Sequence, residues 1–308
     1  MTTLTNMIDE VAMNLSGYTL TQDRTTHLTA EVTTTTSSSA SPLVLSVGSS
    51  DNLSKGIVEI DEELLWVNST DRVSNTATIA PYGRGYLGTT AATHTADSKV
   101  TISPTFPRFT IKRTINDTIN AIGSSIFAAD TTTITSNAAV AAFRIPATGS
   151  SLNIKSILSL AYQTIGASKE WLPIRSWRVD LNANSTAFSS GQSISIYDNI
   201  PSGRTVQIVY SKDPTPFTSN DQVFTTQTGL PESCKDLIIL GSTYRLLSNL
   251  DPARAGMVSP QADEIDSKRP YGSSSSLTKQ VYSLFNQRLN EEIKSQQDKY
   301  PIRIHYSL

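Results

Sequence analysis

The side chains best suited to chemistry are one cysteine and three histidines. Cys234 lies at the predicted start of a helix, where a thiolate would be stabilised. His27, His94 and His305 lie in three separate segments, and no Gly-x-Ser-x-Gly motif occurs. A catalytic nucleophile needs a base within hydrogen-bond reach, and the spacing predicts none. We therefore interpret Cys234 as a small residue at a helix–helix contact.

Two acidic runs have residue types that bind metal ions. Asp61-Glu62-Glu63 separates two apolar segments, and a second run extends from Asp263 to Asp266. Neither has the glycine-punctuated alternation of a calcium loop. The first run is typical of a tight hairpin turn and the second of a solvated loop, so we expect no metal and no cofactor.

The glycine-rich stretch 83–89 (GRGYLGT) is the sharpest local pattern and suggests a phosphate loop. A phosphate loop follows a strand and opens a helix, whereas residues 90–96 lead back into a candidate strand at Lys99. The glycines are better explained as positive-φ positions in a loop between strands.

The composition excludes several classes of protein. Charged residues make up 17% of the 308 and the formal net charge is −2, so general attraction to nucleic acid is not expected. A single cysteine excludes an intrachain disulfide framework. There is neither an apolar run of about 18 residues nor a secretory signal pattern, so we expect no membrane partner.

Four segments carry apolar residues at helical spacing: 3–15, 108–122, 232–250 and 276–298. Short helices in water depend on burial of such a stripe. The residues predicted to pack in a bundle are Leu4, Ile8, Val11, Leu15, Ile111, Ile115, Ile119, Leu237, Tyr244, Leu247, Val281, Phe285 and Leu289.

Between these helices the periodicity changes to two, with turn signals that are typical of antiparallel sandwiches and barrels. The predicted fold class is α+β: a helical bundle formed by the N-terminal, central and C-terminal helices, with two inserted antiparallel β-domains. The predicted order is an N-terminal helix (1–22), a β-domain (23–105), a central helix (106–130), a sandwich-like or barrel-like β-domain (131–228), C-terminal helices (229–298) and a docking tail (299–308).

The C-terminal tail is predicted to bind another chain. Pro301 ends the preceding helix, and the bulky residues after it have no partner strand next to them in sequence. Such a terminal segment usually docks by β-augmentation or by insertion into a groove. The predicted interface residues are Tyr300, Pro301, Ile302, Arg303, Ile304, His305 and Tyr306.

One part of the sequence resembles a β-module common in tailed-phage virion proteins. The matching residues are 56–67 (GIVEIDEELLWV), 84–94 (RGYLGTTAATH) and Val100. The sequence departs from that pattern once, since Asp97 or Ser98 stands where a glycine is usual. This departure affects only a turn. The module also occurs in baseplate and tail proteins.

The rest of the chain resembles the head-to-tail connector proteins, or adaptors, of actinobacterial and related phages. The resemblance is carried by 106–120 (FPRFTIKRTINDTIN), 228–233 (TGLPES), 240–247 (LGSTYRLL) and 300–303 (YPIR). It implies a non-enzymatic protein that forms a ring, usually of twelve copies. In that family the two ends of the chain form the portal-facing part and the tail enters the portal or a neighbouring copy.

The implied partners are further copies of the chain, the portal protein and a downstream tail or stopper protein. Double-stranded DNA would pass through the ring without sequence readout, because strong phosphate contacts would hold it rather than let it slide. The implied location is the head–tail junction of the virion, with the host cytoplasm during assembly.

Two other functions stay open. Ser/Thr-rich β-structure is compatible with a tail-side, baseplate or receptor-binding structural protein, although such proteins are typically trimers with fibrous repeats. A carbohydrate-active enzyme would use Asp or Glu together with Trp66, Trp171 or Trp177 as sugar platforms. Tryptophans among strand residues are more simply explained as core.

Overall fold

A computed structural model describes residues 2–19, 22–166, 169–248 and 273–301. The helices are α1 (Leu4–Thr19), α2 (Arg108–Ile122), α3 (Phe224–Thr228), α4 (Lys235–Ser248) and α5 (Ser273–Lys299). The strands are β1 (Arg24–His27), β2 (Val44–Ser46), β3 (Gly56–Ile60), β4 (Glu63–Asp71), β5 (Thr76–Ile79), β6 (Lys99–Ile102), β7 (Ala128–Thr135), β8 (Ala142–Arg144), β9 (Ser156–Gln163), β10 (Trp171–Pro173), β11 (Trp177–Asp180), β12 (Ser193–Ile196) and β13 (Thr205–Lys212).

The prediction of a helical bundle with inserted β-domains is wrong. The described chain is strand-rich, and its strands form antiparallel sheets of six, four and three strands. The prediction failed because an apolar stripe shows that a helix buries one face, but not whether a helix or a sheet covers that face.

The chain divides into two compact units. We call residues 4–117 and 239–283 the six-stranded unit, and residues 1–3, 118–238 and 284–308 the two-sheet unit. Three of the four divisions fall inside α2, α4 and α5, and the fourth lies directly before α1.

The six-stranded unit contains one antiparallel sheet in the order β1-β6-β3-β4-β5-β2. Its central hairpin pairs Ile60 with Glu63 across the tight turn Asp61-Glu62, as the sequence predicts. Asp61 has a φ of 55°, a left-handed conformation that Asp adopts more readily than most residues. The core is built from Val, Leu and Ile side chains, including Val58, Leu65 and Ile79.

The two-sheet unit contains a four-stranded sheet in the order β10-β9-β13-β7 and a three-stranded sheet in the order β11-β12-β8. Both sheets contribute side chains to one hydrophobic core, for example Leu160 and Ile208 from the first and Ile194 from the second. A bulge in β9 lies at Leu158, opposite the step from Val209 to Tyr210, where the register between β9 and β13 shifts.

The residues predicted to pack in a helical bundle lie on helices, and most of them are buried. Tyr244 and Leu289 are half-buried. The buried ones are Leu4, Ile8, Val11, Leu15, Ile111, Ile115, Ile119, Leu237, Leu247, Val281 and Phe285. Among the described residues, no helix is long and apolar enough to cross a membrane.

Candidate functional site

The most unusual arrangement in the six-stranded unit is a cluster of buried charges around Glu63. The Glu63 side chain is 1% exposed. Glu63 is the first residue of β4 and directly follows the hairpin turn. The Arg84 guanidinium donates to both carboxylate oxygens, from Nε at 2.6 Å and from Nη2 at 2.7 Å. The backbone N–H groups of Gly85 and Ala92 donate to the same carboxylate at 2.9 and 3.0 Å. Glu63 therefore organises the glycine-rich loop around itself.

His94 completes this cluster. Its Nδ1 lies 2.7 Å from Oδ2 of Asp61, and its Nε2 lies 2.9 Å from Oε2 of Glu63. Burial alone would lower the pKa of His94, but the hydrogen bonds and charges of Asp61 and Glu63 raise this pKa to about 9. Two acidic and two basic side chains thus balance one another.

The pKa of Glu63 moves in the opposite direction. Burial would raise it, but hydrogen bonds from Arg84, His94 and the two backbone N–H groups lower it to about 2. The remaining Arg84 donors reach backbone oxygens of Thr34 and Ala92. A fully ionised and fully paired cluster of this kind holds loops in place.

The geometry of the cluster does not suit catalysis. The side chains of Arg84, Glu63 and His94 are 3%, 1% and 1% exposed, and only Asp61, at 62%, meets solvent. Among the described residues, no group of His, Cys, Asp and Glu is arranged to hold a metal ion. The acidic run 263–266 lies outside the described residues. The cluster is thus a structural clasp, and we call it the Glu63 clasp.

The same hairpin is also joined to α2. Glu59 is 3% exposed and accepts the backbone N–H of Arg108 at 2.5 Å, at the start of the helix. Burial raises the pKa of Glu59 to about 7, against the opposing effect of this hydrogen bond. Glu62 accepts from Lys112 at 2.9 Å. Arg108 also pairs with Asp9 of α1 at 2.6 Å.

Two of the three glycines in the glycine-rich stretch 83–89 have positive φ angles, as predicted, whereas Gly83 does not. Gly85 and Gly88 have φ values of 59° and 84°. Two non-glycine residues, Tyr82 and Leu87, also have positive φ values, of 58° and 56°. In a phosphate loop the Gly85 N–H would donate to a phosphate, but here it donates to the Glu63 carboxylate. The anion that this loop binds is therefore part of the protein.

Cys234 has the opposite of an activated thiol. It is fully buried, and its Sγ lies 3.6 Å from Oε2 of Glu292. Burial first, and the Glu292 charge second, raise the pKa of Cys234 to about 12. The expectation that a helix start would stabilise its thiolate is therefore wrong, because burial and the carboxylate outweigh that effect. Arg288 pairs with Glu292 at 2.9 Å and with Asp236 at 2.6 Å.

The three tryptophans occupy different environments. Trp66 is half-buried, with its ring centroid 5.1 Å from that of Tyr86. Trp177 packs against the core of the two-sheet unit, and Trp171 is 42% exposed on the short strand β10. None of the three is among the residues that line the groove of the two-sheet unit described below.

Of the predicted tail residues, the structure describes Tyr300 and Pro301. The Tyr300 N–H donates to the backbone oxygen of Gln296 at 2.8 Å. The ring centroid of Tyr300 lies 5.8 Å from that of Phe127. The side-chain amide of Gln296 accepts a hydrogen bond from the Phe127 N–H and donates one to the Phe127 backbone oxygen. Ile302 to Tyr306 lie outside the described residues. The root of the tail is thus fixed to the segment that enters β7.

Sequence reasoning found the hairpin turn but missed the clasp. Glu59 and Glu63 occupy strand positions with apolar neighbours, and Arg84 and His94 follow in the same module. An acid at a core position together with a later Arg and His was the available signal. No protein-family model matches the chain, and a search of curated proteins finds no significant match.

Proposed function

We propose that this chain is a non-enzymatic structural protein of a tailed-phage particle, a head-to-tail adaptor that binds beneath the portal. The observation that carries the proposal is the Glu63 clasp. Its members Asp61, Glu63, Arg84 and His94 are among the polar residues of the segments that resemble the phage β-module. The spacing of these residues therefore has a structural cause. This supports a resemblance of the folded module, and not only of single matching residues.

The partners follow from the proposed role. Further copies of the chain would form a ring, proposed as a dodecamer, between the portal and a tail or stopper protein. The formal net charge of −2 favours passage of double-stranded DNA, because a strongly basic ring would bind phosphates and slow it. In the particle the protein would lie at the head–tail junction, after assembly in the host cytoplasm.

The tail is the proposed grip on the neighbouring ring. The contacts of Tyr300 with Phe127 and Gln296 fix the position at which the tail begins. A short segment that starts from a fixed point loses less conformational entropy on binding than one on a long free linker. The alternating residues Ile302, Ile304 and Tyr306 suit β-augmentation or a groove.

Co-sedimentation with portal rings of the same phage tests the proposal. We expect the full chain to sediment with the rings, and a chain that lacks residues 299–308 to stay folded but to remain in the supernatant. Deletion of residues 307–308 alone is the matched control and should still bind. A full chain that does not bind portal rings would refute the adaptor role, whereas binding by the long truncation would refute only the role of the tail.

The mass of the purified chain separates the structural alternatives. A tail-side or receptor-binding protein would form a stable trimer in solution. A ring of many copies, or a chain that assembles only on the portal, agrees with an adaptor. Light scattering with and without portal distinguishes these cases.

A further inference from the structure

A groove of about 370 Å³ lies in the two-sheet unit, between the segment that follows β7 and the segment that follows β12. Residues 136–141 form one wall and residues 197–200 form the other. Ile196 and Ile200 are buried, Phe143 is half-buried, and all three line the groove. Its volume is near the lower end of the range for small-ligand sites, about 300–1,000 Å³.

Hydrogen bonds hold the first wall in position. The buried hydroxyl of Ser136 donates to the Pro201 oxygen at 2.7 Å and accepts the Arg204 N–H at 2.9 Å. The Ala138 N–H donates to the Ser202 hydroxyl at 2.7 Å. A ligand would therefore meet a wall that is already ordered, and its binding would cost little conformational entropy.

The second wall is held in the same way by Asp198. Its Oδ2 accepts the backbone N–H groups of Arg175 at 2.7 Å and Ser176 at 3.3 Å. This leaves Oδ1 of Asp198 for a ligand. The neighbouring Tyr197 is 62% exposed, and its backbone N–H donates to the Ser176 oxygen at 2.9 Å. An aromatic ring and a carboxylate oxygen are thus presented together on a fixed backbone.

Donors complement that acceptor. Oδ1 of Asn137 accepts the Ala139 N–H at 3.0 Å, so the amide NH₂ of Asn137 is the part that remains for a ligand. Asn199 is exposed and offers both a donor and an acceptor. Within the described part of the chain, these atoms and the Tyr197 hydroxyl make no hydrogen bond to protein.

The groove combines an apolar floor and an aromatic ring with several hydrogen-bonding groups. No lysine or arginine is among its lining residues, so it offers an anionic ligand no counter-charge. We propose that it binds a neutral saccharide. A sugar ring has an apolar C–H face for the Tyr197 ring and hydroxyls for Asp198 and the two asparagines.

The groove is a binding site rather than a hydrolytic one. Glycoside hydrolysis generally uses two carboxylic acids on either side of the scissile bond. Asp198 is the one carboxylate among the residues that line this groove, and one of its oxygens already accepts two backbone N–H groups. This inference does not depend on the proposed adaptor role.

Saturation-transfer NMR with the full chain and a panel of neutral mono- and disaccharides tests the inference. We expect saturable binding by at least one sugar, with a Kd of about 1 mM and the strongest transfer to protons on one face of the ring. Tyr197→Ala should weaken binding about tenfold or more, and Tyr197→Phe should retain it. Tyr82→Ala removes an 88% exposed tyrosine from the other unit and is the matched control.

Three results would overturn the inference. The first is the absence of saturable transfer to every neutral sugar of the panel. The second is binding that Tyr197→Ala, shown by circular dichroism to be folded, does not weaken. The third is saturable binding of the methyl amides of lysine or arginine in place of sugars, which would make the groove a site for cationic side chains.

Discussion

The two units differ in how buried charges contribute to the stability of their antiparallel β-structure. Both are antiparallel β-structures with Val, Leu and Ile cores. The six-stranded unit adds a charged cluster whose members Glu63, Arg84 and His94 are almost completely buried. In the two-sheet unit, the pair Lys212–Asp130 is partly exposed, with side chains 28% and 44% exposed. Glu292 of that unit is 8% exposed, but its partner Arg288 is 28% exposed.

This difference shows what each kind of charge contributes. An exposed pair is worth at most about 1 kcal/mol, since solvent screens it. Removal of one member of a buried pair leaves an uncompensated charge, which costs about 3–5 kcal/mol. Buried charges therefore contribute more to the stability of the six-stranded unit than to that of the two-sheet unit, although both units have an apolar core.

The largest expected effect is that of Glu63→Ala. It leaves Arg84 buried without its carboxylate, and we expect the six-stranded unit to lose about 3–5 kcal/mol of unfolding free energy. Denaturation can be followed through Trp66 in a chain whose other two tryptophans, Trp171 and Trp177, are replaced by Phe. Asp130→Asn in the two-sheet unit is the control. Followed through Trp177 in a chain whose Trp66 and Trp171 are replaced by Phe, it should cost less than about 1 kcal/mol. Equal costs would contradict the comparison.

A core truncation in the other unit gives the next effect. Ile208 is fully buried between the sheets, so Ile208→Ala should cost the two-sheet unit about 2–5 kcal/mol through lost burial and a residual cavity. Its cost should not vary with pH between 5 and 2, whereas that of Glu63→Ala should fall over this range. Fluorescence of Trp177 reports this transition. A pH-dependent cost of Ile208→Ala would contradict the claim that titrating charges matter less in the two-sheet unit.

The pH dependence of His94 follows from its raised pKa. The folded-state pKa of about 9 lies above the ordinary value of 6.5. Its contribution to stability is therefore fully present below pH 6.5 and is lost as the pH rises through 9. We expect His94→Gln to destabilise the six-stranded unit most near pH 6 and least near pH 10. A constant difference between these pH values would show that His94 is neutral when folded.

Acid should act on Glu63 in the opposite sense. Its folded-state pKa of about 2 lies below the ordinary value of 4.5. The stability that it contributes is present above pH 4.5 and is lost as the pH falls through 2. Urea denaturation of the native chain between pH 5 and pH 2 should show this loss, and the slope should flatten in Glu63→Ala.

The smallest expected effect is that of Glu59→Gln. The pKa of Glu59 is raised to about 7, so its contribution to stability is present below pH 4.5 and is lost as the pH rises through 7. Gln keeps an oxygen for the Arg108 N–H but carries no charge. The variant should therefore gain stability relative to the native chain between pH 5 and pH 8. A relative loss over that range would mean that the ionised form is the favoured one.

Local features of the fold were predictable from the sequence, because neighbours in the chain determine them. The helix predicted at 108–122 coincides with α2, and the hairpin turn at Asp61-Glu62 is confirmed. The positive φ of Gly85 follows from the lack of a side chain. Each of these depends on a few adjacent residues.

Long-range features were not predictable in the same way. The pairing of β1 with β6 joins Arg24 to Ile102, and no periodicity indicates it. The clasp brings Glu63 to His94, 31 positions later. The raised pKa of Cys234 depends on Glu292, which is 58 positions away. These environments depend on burial by segments that are distant in the sequence. The packing partners of the helices depend on such segments too, so the apolar stripes alone did not show that the helical bundle was wrong.

Labelling this chain in phage particles tests the central claim most directly. A small tag fused to the chain and bound by gold-conjugated antibody can be located in electron micrographs of mature particles. The account predicts label at the single capsid vertex that carries the tail, between the head and the tail. Label along the tail, at its tip or nowhere on the particle would contradict it.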